Sequence, residues 1–96
     1  MQKSYVPQPL DTSDVQLPAE LEELTERMAR NVHEVWAKNR MDQGWSYGAQ
    51  RDDVKLHHPC LVAYDELTDV ERQYDRDTSL ETIKLILKLG FTIEKK

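Results

Sequence analysis

The chain has 96 residues, 32 % of them charged, and a formal net charge of −5. That length suits one domain with a modest core. The acidic balance argues against nucleic acid, whose phosphates are held by lysine and arginine, and against an anionic membrane surface.

The one cysteine, Cys60, excludes an internal disulfide. No apolar stretch follows Met1 behind a basic start, so no signal peptide is expected. No run approaches the roughly 18 apolar residues of a membrane span. Together these features predict a cytoplasmic protein.

Residues 1–17 carry Pro7, Pro9 and the cluster Asp11-Thr12-Ser13. Proline fixes backbone torsion and removes a donor, which predicts an extended arm anchored by Tyr5, Val15 and Leu17. Pro18 suits the first turn of a helix, and Glu20, Glu22 and Glu23 complement the positive end of its dipole. The apolar residues Leu21, Leu24, Met28, Val32, Val35 and Trp36 form one stripe at spacings of three and four. Ala29, His33, Trp36 and Arg40 fall along one edge of it. His33 reads as a surface histidine. Gly44 is a natural stop, so a helix is predicted over 18–43.

Residues 44–66 form a loop with no helical or strand period. It holds Gly44-Trp45-Ser46-Tyr47-Gly48, Arg51-Asp52 and His57-His58-Pro59-Cys60. Connecting loops of this length inside a small domain are usually functional. If the piece is extended, Trp45 and Tyr47 point to one side. The expected division has Tyr47 buried and Trp45 partly exposed. Leu61, Val62 and Tyr64 should pin the far end to the core. Thr68 with Glu71 is a capping-box pattern that starts a short helix. Thr78 with Glu81 repeats it and starts a second, ending at Gly90. Phe91-Thr92-Ile93 alternates like a short strand over 91–94. The last helix, with Leu80, Ile83, Leu85, Ile86, Leu87 and Leu89, has an apolar arc wider than one neighbour covers.

The chemistry points to binding. No nucleophile elbow, phosphate-cradling glycine loop or convincing Cys–His pair is present, which predicts a protein that is not an enzyme. His57-His58-Pro59-Cys60 matches no zinc spacing, so no metal or cofactor is expected. Arg51 with Asp52 and Asp75 with Arg76 look like structural ion pairs. Arginines beside large rings also suit a planar, anionic ligand, because the rings stack and the guanidinium forks hold charge.

Taken in order, these pieces resemble the ryanodine receptor repeat, or RyR domain. The resemblance rests on Tyr5-Val6-Pro7-Gln8-Pro9, Asp11-Thr12-Ser13, Leu17-Pro18, Leu21, Asn31, His33, Trp36 and Arg40. It continues through Gly44-Trp45-Ser46-Tyr47-Gly48, Arg51-Asp52, Lys55, His58-Pro59-Cys60-Leu61-Val62, Tyr64 and Leu67. It ends with Tyr74-Asp75-Arg76, Thr78, Glu81-Thr82, Lys84 and Leu89-Gly90. The resemblance implies a mainly α fold of two long antiparallel helices, a short helix and short extended or β pieces. In calcium-release channels such repeats come in tandem pairs, some of which are thought to bind adenine nucleotides or drug-like rings between the halves. Carried over, that makes Trp45 the stacking residue. This chain has one repeat and lacks the linker that bears phosphorylation sites in the receptors, so that regulatory role is not carried over.

The resulting expectation is a two-fold homodimer standing in for the tandem pair, with the arc of the last helix as one contact. Its function would be that of a small-ligand sensor for a nucleotide-like molecule. Trp45 and Tyr47 would stack on the ring, Arg40, Arg51 and Arg76 would hold the charge, and His58 would donate a hydrogen bond. The alternative is a protein-interaction module without a small ligand, since Trp, Tyr and Arg are enriched in binding hot spots.

Overall fold

The computed structural model describes residues 4–96. The first three residues of the predicted arm lie outside it. The fold is mainly helical: α1 spans Ala19–Asp42 and α2 spans Asp69–Lys88. Between them lie two short strands, β1 (Ser46–Tyr47) and β2 (His57–His58), and a 3-10 turn at Tyr64–Glu66. The strands pair in parallel, Ser46 with His57 and Tyr47 with His58.

α1 packs on α2 and on the 3-10 turn. The row that α1 buries is Leu21, Thr25, Ala29 and His33. This is the edge that holds Ala29 and His33, not the whole predicted apolar stripe: Leu24 and Met28 are half-buried, and Val32 and Val35 are exposed. Small Ala29 lets Tyr64 and Leu67 approach the helix closely, and Cys60 and Val62 pack around them. His33 is therefore not a surface residue. It is buried and its Nε2–H donates to the Val62 carbonyl at 2.7 Å, so a core histidine ties α1 to the loop.

α2 is one continuous helix, where two were expected. Its start matches the first pattern, with Thr68 and Glu71 completing a reciprocal capping box. Thr78 lies inside the helix and accepts the Thr82 hydroxyl at its carbonyl oxygen, 2.8 Å. No glycine or proline interrupts residues 69–88, so the second pattern has no helix start to cap.

Both helices end alike. Gly44 and Gly90 each have φ +94°, the left-handed region that glycine enters without a Cβ penalty. The Trp45 N–H bonds the Arg40 carbonyl (3.0 Å) and the Gly44 N–H bonds that of Met41 (3.0 Å). Likewise Phe91 bonds Ile86 (3.2 Å) and Gly90 bonds Leu87 (3.1 Å). These are Schellman motifs, which satisfy the last carbonyls of a helix. Phe91 thus belongs to a helix cap, and the predicted strand over 91–94 is replaced by irregular chain.

The arm crosses the second half of α2. Buried Thr12 donates to Glu81 Oε2 at 2.6 Å, and Lys88 reaches Asp14 at 3.1 Å. Among the described residues no helix is long and apolar enough to cross a membrane.

Candidate functional site

Trp45 holds the residue after the glycine in the α1 cap. That position folds its ring back over the last turn, where Arg40 Cζ lies 4.9 Å from the ring centroid. Arg51 lies 5.9 Å from the same ring. Trp45 is only 9 % exposed, whereas Tyr47, in β1, is 58 % exposed. The expected division of the two rings is inverted. The expectation that an extended piece sends both rings to one side does not hold at Trp45, whose backbone N–H completes the end of α1.

Arg40 sits between two indoles, 5.7 Å from the Trp36 ring and 4.9 Å from Trp45. His58 joins the same group, edge-on to Trp36 at 4.9 Å and to Trp45 at 6.1 Å. Its Nδ1 accepts the Cys60 backbone N–H at 3.0 Å, so the neutral ring carries its proton on Nε2. Burial, reinforced by Arg51 and Arg40, holds the His58 pKa below its ordinary value. The structure brings Trp45, Arg40, Arg51 and His58 together. Tyr47 stands on the exposed strand.

Arg76 is elsewhere. Its guanidinium holds Glu26 at 2.7 Å and 3.2 Å, and the Tyr64 hydroxyl donates to the same carboxylate. Arg76 keeps the Glu26 carboxyl below the usual range. The expected pair of Asp75 with Arg76 does not form, because neighbours along a helix point apart. Arg51 likewise pairs with Asp53 at 2.9 Å, not with Asp52. Asp52 closes its own turn by accepting the Val54 and Lys55 N–H groups, each at 3.0 Å.

Beside the indole–guanidinium stack lies a hollow of about 200 Å³, lined by His33, Trp36, His58, Cys60, Leu67, Glu71, Tyr74 and Asp75. Trp36 and His33 stack at 5.7 Å on one wall. Trp36 is half-buried and Tyr74 is exposed at the mouth. The Cys60 thiol donates to Glu71 Oε2, and burial together with that carboxylate pushes its pKa up to about 12, which disfavours the thiolate. Burial raises the Asp75 pKa as well. Asp75 has no ion-pair partner among the described residues. No group of three His, Cys, Asp or Glu side chains able to hold a metal is found there either.

Sequence reasoning did not assign Trp36 and Tyr74 to a site. Trp36 was placed at the edge of the apolar stripe, which was the available signal: an indole flanked by His33 and Arg40 on one helix edge. Tyr74 carried none beyond its place in the motif Tyr74-Asp75-Arg76.

Gly44 and Gly90 in the two caps, buried Thr12 in the arm, His33 on Val62 and Tyr64 in the core are the residues by which the chain resembled the ryanodine receptor repeat. The family model described as RyR domain matches residues 5–95. Membership implies a regulatory or protein-interaction module. The chain belongs to the RyR domain family.

Proposed function

We propose that this domain is a regulatory module that receives a flat, nitrogen-bearing ring in the hollow between α1 and α2. The observation that carries the reading is the hollow itself: Trp36, His33, His58 and Tyr74 supply ring surfaces, and Asp75 supplies an unpaired acceptor. A volume of about 200 Å³ takes a heterocycle, while whole drug-sized ligands usually occupy about 300 Å³ or more. The remainder of a nucleotide would extend past His58 toward Arg40 and Arg51. On this view Trp36 stacks on the ligand. Trp45 has the separate task of holding Arg40 in place, and Arg76 takes no part.

A second reading, a protein-interaction module, draws on exposed side chains around the same face. Tyr47 and Tyr74 are open to solvent, and Val54 stands at the tip of the Asp52 turn.

Tryptophan fluorescence titrations with AMP, ADP, ATP and GTP separate the two. The expected result is saturable quenching with a dissociation constant of about 0.1–1 mM. It should be lost in Trp36→Leu and kept in Trp45→Phe. Flat titrations at millimolar nucleotide remove the small-ligand reading and leave the interaction module. Loss in Trp45→Phe alone, in a folded protein, would return the stacking role to Trp45.

A further inference from the structure

The two carboxylates of the hollow are not equivalent. Glu71 and Asp75 lie one turn apart on α2, and both line it. Glu71 is committed to internal contacts. Its Oε1 accepts the Thr68 hydroxyl at 2.7 Å and the Thr68 backbone N–H at 3.3 Å, while its Oε2 accepts the Cys60 thiol. Asp75 accepts no hydrogen bond from any described side chain. The arginines nearest to it along α2 are turned elsewhere: Arg72 to Asp65 and Asp69, and Arg76 to Glu26.

The hollow therefore has two poles. Asp75 stands on the side of buried His33, whose charge acts on it, and neither lysine nor arginine lines the hollow. His58 stands on the side of Arg40 and Arg51, whose charges act on that ring from outside. A half-buried carboxylate favours a ligand that brings hydrogen-bond donors and disfavours one that brings acceptors. The nucleobases differ in what they offer such a group. Guanine has two adjacent donors, N1–H and the N2 amino group, side by side like the two oxygens of one carboxylate. Adenine sets one donor, the N6 amino group, beside the N1 acceptor, whose lone pair faces those of the carboxylate. Cytosine repeats the adenine pattern, and uracil places its one donor between two carbonyls.

From this polarity we infer that Asp75 makes the hollow selective for guanine. The ligand is a guanine mononucleotide whose N1–H and N2 amino group donate to the two oxygens of Asp75. Its ring lies against Trp36, and its phosphate leaves past His58 toward Arg40 and Arg51. The inference rests on the reading of the hollow as a heterocycle site and adds which heterocycle it takes. It departs from the adenine nucleotides that the resemblance to the receptor repeats implies, because an open carboxylate repels the acceptor on the adenine edge. Specificity then lies in one side chain on α2, while the stacking surface on α1 accepts any flat ring.

Isothermal titration calorimetry of the full chain with GMP, IMP and AMP at neutral pH tests it. IMP differs from GMP only in lacking the N2 amino group. GMP is expected to bind about tenfold tighter than IMP or AMP, the worth of one hydrogen bond to a charged group. Asp75→Asn keeps the shape but turns one oxygen into a donor, and an amide matches the donor–acceptor edge of adenine. In that variant GMP should weaken about tenfold and AMP should bind more tightly than GMP. Asp75→Ala should weaken GMP and leave AMP unchanged. Asp75 holds no internal contact, so both variants should keep the far-ultraviolet spectrum of the wild type. Wild-type protein that binds AMP as tightly as GMP, or tighter, overturns the guanine assignment and leaves the heterocycle site standing. A preference for GMP that survives in both variants overturns the role of Asp75. Heat signals that stay flat for all three nucleotides at millimolar concentration remove the heterocycle site itself, and the guanine assignment with it.

Discussion

His58 holds the site together: it touches both indoles, lines the hollow and caps the Cys60 N–H. Its charged form is disfavoured first by burial, then by Arg51 and Arg40, against weaker opposing effects from Glu71 and Asp53. A histidine whose folded pKa is depressed binds its proton more readily when unfolded. Its contribution to stability is therefore intact above the unfolded value near 6.5 and is lost as pH falls through that value toward the folded one. A proton-detected histidine titration should place the His58 midpoint below 6.5. Arg51→Ala should raise that midpoint. A midpoint at or above 6.5 would mean that the ring is solvated and not wedged between Trp36 and Trp45.

At the scale of elements, the short sheet depends on close approach. A Cβ at Gly48 would lie 2.5 Å from His57 Cβ and 2.8 Å from its Cγ, well inside contact distance. Gly48 has no positive φ, so the demand is steric alone. Gly48→Ala should push β1 away from β2 and cost about 2 kcal/mol in a urea melt. It should also shift the His57 and His58 resonances, since both lie in β2. An unperturbed melt would mean that the strand pair is loose. The same scale shows where pattern reading failed. The capping pattern at Thr68 is a real start because Leu67 before it is extended, with ψ 155°. The identical pattern at Thr78 has helix on both sides, and the existing hydrogen bonds win. Two-residue strands carry too little sequence to have a period, so short β pieces were expected from the resemblance while the places of β1 and β2 were set by no pattern along the chain.

At the scale of the molecule, the arm locks onto α2 through a single buried hydroxyl. Thr12 fills a buried site and donates to Glu81, while the Asp14–Lys88 pair lies at the surface and adds little. Thr12→Val keeps the shape and removes the donor, leaving Glu81 its solvent contacts. The expected loss is about 1 kcal/mol. Hydrogen exchange should speed up in residues 81–88 and stay unchanged in α1. Uniform acceleration throughout the chain would instead make the arm part of one cooperative unit with the core.

The family, α1, the start of α2 and both glycine stops were legible in the sequence, because they rest on local rules, whereas the continuity of α2 through Thr78 was not. Proline and glycine act through their own torsions, capping residues act within one turn, and an ordered series of motifs is specific by its length. Which face of α1 turns inward was decided only by tertiary packing. The most apolar row did not win. The buried row is Leu21, Thr25, Ala29 and His33, because Ala29 is small enough to admit Tyr64 and the His33 N–H finds a carbonyl on Val62. Close fit and hydrogen-bond satisfaction between distant segments outranked hydropathy along one helix. The same cause sealed Trp45 under two guanidiniums and left Trp36 beside the hollow, a distinction between two indoles that no spacing along the chain encodes.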